Sequence, residues 1–97
     1  MLDIAICDGK LAMTDGLETT LEKIAQKKII PMDIEVFLSG KELITYVENG
    51  TYFDIVFLNI DMTREDGIAV AKKIREKDKN VLIIYVTSHI TYIQQVF

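Results

Sequence analysis

Four short apolar runs alternate with segments of helical spacing along the 97 residues, and this alternation leaves few folds open. Residues 2–7 (LDIAIC) read as a strand ending at Asp8-Gly9. From about residue 14 to 26, Leu17, Leu21, Ile24 and Ala25 fall on one helical face. Pro31 then breaks the pattern, because its ring biases Ile30 away from helix. Residues 34–38 form a second strand. Ser39-Gly40-Lys41-Glu42 has the capping-box form, with Ser39 as N-cap and Glu42 reaching back. The helix it opens carries Leu43, Ile44 and Val47 and stops near Asn49-Gly50. Residues 53–58 (FDIVFL) are a third strand, apolar enough for a central strand covered on both faces. Asp66-Gly67 leads into a helix holding Ile68, Ala71 and Ile74. Residues 81–86 are a fourth strand, and Ile90, Ile93 and Phe97 recur at helical spacing beyond it. Strands and helices in this order imply a parallel sheet with helices on both faces.

The length fits one domain, residues 1–97. Nearly half the residues are hydrophobic and 27% are charged, a globular balance rather than a disordered one. The net charge of −4 argues against a broad electrostatic grip on nucleic acid, so no direct nucleic-acid contact is expected. The basic run at 72–79 is interleaved with acids and reads as a solvated helix face. A single cysteine, Cys7, leaves no intramolecular disulfide and suits a reducing cytoplasm; its expected role is core packing. Residues 1–8 lack the pattern of a signal peptide, and no apolar stretch approaches the ~20 residues of a membrane span.

With these elements placed, the chain resembles the receiver domain of bacterial two-component response regulators, of the type that precedes LytTR DNA-binding domains. The resemblance rests on several separate motifs in the right order: Ile4-Ala-Ile-Cys-Asp, Val36-Phe-Leu-Ser-Gly, Phe53-Asp-Ile-Val-Phe-Leu, and Val81-Leu-Ile-Ile-Tyr-Val-Thr-Ser-His. It implies an α/β, flavodoxin-like parallel sheet with strand order 2-1-3-4, lacking the family's fifth strand and fifth helix. It also implies site positions. The adjacent acids that help hold magnesium fall on Asp8 and Gly9, so the second acid is missing. The phosphoacceptor aspartate falls on Asn59. The residue that lends its carbonyl to the metal is Asp61, and the switch hydroxyl is Thr87. The usual Met-Pro-x-x-Asp-Gly loop stands as residues 62–67 with Thr63 for proline, and the sequence ends before the family's lysine.

Three departures thus fall on the phosphorylation machinery. An amide carries no charge to bind a divalent cation and is a very poor nucleophile. Magnesium favours hard anionic oxygens, and Asp8 is the main charged ligand left, with carbonyls of Asn59 and Asp61 in support. The expectation is therefore a degenerate, non-phosphorylatable receiver, not an enzyme, with no cofactor beyond weak magnesium binding. Its partners would be proteins: itself, a histidine kinase or a response regulator. Self-association is expected through the 81–86 edge, the last helix, or both, since that strand carries no proline or lysine to block pairing.

Other readings stand beside this one. Asp8 reads either as a residual ligand or as a solvated acid at a strand end. Asn59 reads as a mimic that fixes one conformation, or as a position that keeps shape only. An ordinary receiver, cut or carrying a substituted acceptor, is the alternative for the whole chain. His89 reads as a loop or helix-start residue, Thr87 or Ser88 as a helix cap, and Met62 as packing. Residues 59–63 (NIDMT) also resemble the nucleophile loop of haloacid-dehalogenase phosphatases, but that loop follows the first strand of its sheet, not the third. A flavin site is disfavoured because Asp8-Gly9-Lys10 stands where a phosphate loop is needed.

Overall fold

The computed structural model describes residues 1–62 and 65–86. The elements are β1 (Leu2–Cys7), α1 (Leu11–Lys28), β2 (Met32–Phe37), α2 (Gly40–Glu48), β3 (Ile55–Asn59), β4 (Asp61–Met62), β5 (Glu65–Asp66), α3 (Gly67–Lys77) and β6 (Leu82–Val86). The main sheet has the order β2-β1-β3-β6, and every pairing in it is parallel. With β6 as the fourth long strand, this is the expected flavodoxin-like order. The short strands β4 and β5 form a separate antiparallel ladder, which the sequence pattern did not signal.

The larger core lies between the sheet and the α2–α3 layer. Cys7, Val56 and Leu58 meet Leu43, Val70 and Ile74 there, each 5% exposed or less. Met62 joins this core, as expected of a packing residue. Phe37 closes one end, edge-on to Tyr46 and to Phe53 with ring centroids 4.9 and 5.9 Å away. The Ser39 hydroxyl accepts from Glu42 N–H at 3.1 Å, so Ser39 is the N-cap as expected and α2 starts at Gly40.

The opposite face is covered less completely. There α1 lays Leu17 and Leu21 over Ile4 and Ile6, in a cluster that takes in β1, β2 and the near side of β3. Along β3, Val56 and Leu58 are buried, whereas Ile55 and Phe57 are only half-buried. The expectation of full cover on both faces therefore holds for one face of β3 and not for the other. Ile24, which periodicity groups with Leu17 and Leu21, and Ile68, which it places in the helix with Ala71 and Ile74, are 44% and 38% exposed. On α3 the buried positions are Val70, Ala71 and Ile74 besides Gly67. The basic run is solvated as expected, except at Arg75. Its guanidinium turns back to donate to the Val81 carbonyl at 2.6 Å, tying the end of α3 to the start of β6.

The end of α1 carries a local misfit. Ile29 sits at φ 55°, ψ 52°, in the left-handed region that a β-branched side chain resists. Its side chain is 88% exposed, so no burial offsets the strain. Ile29→Gly is expected to raise stability by about 1 kcal/mol. A urea midpoint that falls in this variant would contradict the assignment of strain.

Candidate functional site

The register of the sheet gathers the strand ends that matter. Cys7 pairs with both Phe37 and Leu58, and Asn59 pairs with Val86. Asp8 and Asn59 therefore emerge side by side at the C-terminal edge of the sheet, where α/β folds bind ligands. Asp8 N–H donates to the Phe37 carbonyl at 3.1 Å, which extends the ladder by one bond past β1. The Asp8 carboxylate accepts from Lys10 N–H at 3.0 Å and so turns the chain into α1. The residue is only 6% exposed, which removes the reading of a solvated acid. Beside it, a Cβ on Gly9 would meet nothing closer, among the described residues, than the Leu38 carbonyl at 3.9 Å.

Asn59 is half-buried, and its backbone is tightly held. Ile60 N–H donates to the Val86 carbonyl at 3.2 Å, and the Ile60 carbonyl accepts from Gly67 N–H at 3.0 Å. Asp61 and Met62 pair with Asp66 and Glu65, so the chain doubles back and delivers α3 to the end of β3. The Asp66 carboxylate caps α3 by accepting from Ile68 N–H at 2.9 Å. A Cβ on Gly67 would lie 2.7 Å from Ile60 Cα and 2.9 Å from the Asn59 carbonyl carbon. Glycine is required there by close approach of the two backbones, not by a turn. Sequence reasoning took Gly67 only as part of a loop. The available signal was a poor helix former placed directly after a capping aspartate.

Beside these residues, on the α1 side, opens a cavity of about 430 Å³ whose walls include Ile6, Met13, Leu17, Phe57 and Val86. Asp8 and Asn59 stand at its polar end. The magnesium role that the resemblance assigned to these positions fits the side chains poorly. Asp8 offers one carboxylate, already engaged with Lys10 N–H, and Asn59 offers a neutral amide. Among the described residues no group of three His, Cys, Asp or Glu side chains is arranged to hold a metal. Hard, anionic, near-octahedral coordination is what magnesium demands. Thr63, Thr87, Ser88, His89 and the stripe of Ile90, Ile93 and Phe97 lie outside the described residues.

The sequence matches the response regulator receiver domain over residues 4–97. The chain belongs to this receiver family. Receivers are signalling modules rather than enzymes in the usual sense. Hybrid signal transduction histidine kinase L of Dictyostelium discoideum is 27% identical over 90 residues, a match covering 84% of this chain and 5% of that protein. The N-terminal domain of a response regulator/sensory box/GGDEF protein from Carboxydothermus hydrogenoformans superposes with a TM-score of 0.79 at 20% identity, over 90% of this receiver and 65% of that chain. The response regulator TrrA of Thermotoga maritima, solved in complex with Mg(2+)-BeF, gives a TM-score of 0.82 at 26% identity, over 99% of this receiver and 77% of that chain. TrrA is also solved in complex with the histidine kinase ThkA. Among the described residues of this receiver, no helix is long and apolar enough to cross a membrane.

Proposed function

We propose that this receiver is a non-phosphorylatable module of two-component signalling that acts through protein–protein contact. One observation carries the reading: the residue at the C-terminal end of β3, beside Asp8 and Gly9, is Asn59. An amide neither attacks phosphorus usefully nor anchors a cation. Gly9 removes a second carboxylate from the same rim. What remains is a folded surface with its strand ends in place and its acceptor chemistry gone. The complex of TrrA with ThkA supports a histidine kinase as one partner class; a response regulator or a second copy of this chain is another.

The test is incubation with acetyl phosphate and magnesium, followed by intact mass. The wild-type protein is expected to gain no hydroxylamine-sensitive phosphoryl group. Asn59→Asp alone is expected to restore little, because Gly9 still leaves the metal one carboxylate short. A stoichiometric phosphoryl gain on the wild-type chain would overturn the proposal. Full donor-dependent labelling of Asn59→Asp would show instead that Asn59 is the sole lesion. That second result would favour an ordinary phosphorelay receiver with a substituted acceptor, whose parent regulates transcription through a LytTR domain.

A further inference from the structure

We propose that Asn49 is a site of spontaneous deamidation, held in check by the last turn of α2, and that Asn59 is locked against the same reaction. The inference lies outside the phosphoryl-transfer reading and does not rest on it. The chain has three asparagines, followed by Gly50, Ile60 and Val81. In deamidation the backbone nitrogen of the following residue gives up its proton to water or hydroxide and attacks the asparagine Cγ. The new N–C bond closes a succinimide ring, the bond from Cγ to the side-chain nitrogen breaks, and ammonia leaves. Water then opens the ring at either carbonyl, giving aspartate or isoaspartate. The reaction needs no oxidant, reductant or enzyme.

Ring closure demands an unhindered nitrogen, and Gly50 supplies it. A Cβ there would meet nothing within 4 Å among the described residues, and both Asn49 and Gly50 are exposed. Glycine stands at this position because the helix stops there. Gly50 N–H donates to the Val47 carbonyl at 3.1 Å, and Thr51 N–H to the Tyr46 carbonyl at 3.0 Å. That pair of bonds needs a residue of positive φ just after the cap, and Gly50 sits at φ 92°. The residue that ends α2 is therefore also the one that makes Asn49 labile. The other two asparagines are shielded. Ile60 and Val81 are β-branched and only 4% and 3% exposed. Ile60 N–H is held by the Val86 carbonyl at 3.2 Å, and Val81 N–H by the Asp78 carboxylate at 3.2 Å. The Asp-Gly pairs at 8–9, 15–16 and 66–67 can pass through the same ring. An ionised carboxylate is a poor electrophile, however, and no charge is gained there.

The last turn of α2 sets the rate. Gly50 N–H must leave the Val47 carbonyl before its nitrogen can turn on Asn49 Cγ. That turn is weakly held. It carries no basic side chain, and Glu48 stands at the negative end of the helix dipole. Helix ends open locally at far lower cost than the whole domain. The product places one more negative charge beside Glu48, on a chain of net charge −4. Isoaspartate also adds a carbon to the backbone of the helix stop itself. Both changes loosen the end of α2, where Thr51 N–H holds the Tyr46 carbonyl and the Tyr46 ring packs on Phe37.

The test is storage of the intact chain in mildly alkaline buffer, followed by peptide mapping that resolves asparagine, aspartate and isoaspartate at each position. Conversion is expected at residue 49, with isoaspartate the main product, and none at 59 or 80. Asn49→Gln should abolish it, because glutamine must close a larger ring and does so far more slowly. Unfolding in urea should speed conversion at 49. Glu48→Lys should slow it about two- to fivefold in the folded chain, by favouring the closed last turn, and leave the rate in urea nearly unchanged. A folded chain that keeps residue 49 intact while the chain in urea converts would overturn the site. Equal rates at 49 in buffer and in urea, or an unchanged rate in folded Glu48→Lys, would overturn the gate. Conversion at 59 as fast as at 49 would overturn the locking of Asn59. Acetyl phosphate labelling of the freshly purified chain is read separately, so either result there leaves this inference standing.

Discussion

Gly67→Ala is expected to lower the unfolding free energy by about 3 kcal/mol, although alanine is the better helix former. Propensity alone would favour alanine by about 1 kcal/mol, so the sign of the effect separates the two explanations. A Cβ at this position runs into the backbone of Asn59 and Ile60, and neither can rotate out of the way as a side chain tip can. Relief requires α3 to withdraw from the end of β3. That withdrawal stretches the Gly67 N–H bond to the Ile60 carbonyl and loosens Val70 and Ile74 in the core. Urea unfolding should show a clearly lower midpoint, and amide shifts of Asn59 and Ile60 should move most. A midpoint unchanged or raised in Gly67→Ala would show that α3 accommodates the methyl group and that the close approach is not essential.

Phe37→Ala should be comparably severe, at about 3–5 kcal/mol. The ring is 2% exposed and sits edge-on between Tyr46 and Phe53, so its loss leaves a cavity that three elements cannot easily close. A domain of this size holds only about 5–15 kcal/mol in total. Thermal melts should show a large fall or outright loss of the cooperative transition, and Phe37→Leu should retain much more of it. The damage should reach the site as well, because the Phe37 carbonyl receives Asp8 N–H. An alanine variant that melts within a few degrees of wild type would mean that the neighbouring rings collapse into the space.

The long strands were legible because each announces itself locally, and their order followed from the resemblance to the receiver family. β1 and β6 are bounded apolar runs, and Ser39 and Asp66 cap their helices within a few residues. The start of α1 was not legible. Its first turn is exposed and Lys10 makes no side-chain cap, so nothing in the pattern marks Leu11 rather than Thr14. Exposure of Ile24 and Ile68 depends on where a helix ends up over the sheet, which periodicity does not encode. The same holds for Asp54, whose carboxylate accepts from Asp3 N–H at 2.8 Å across 51 residues of sequence. At the candidate site, Asn59 and Gly9 could be read because a missing charge is visible in the sequence. The burial of Asp8 and the demand for glycine at 67 could not, because each arises from contacts between distant segments.

Ile60 makes the rim around Asn59 a mechanical joint. Its peptide groups bond forward to Gly67 and across to Val86, so α3 and β6 are fastened through one residue. A displacement of the last residue of β6 must either break the bond from Ile60 or drag Ile60 with it. Ile60 in turn is pinned beside Gly67, which has no room to let it slide. Force applied at the end of β6 is thus delivered to the first turn of α3 without any change in charge at residue 59.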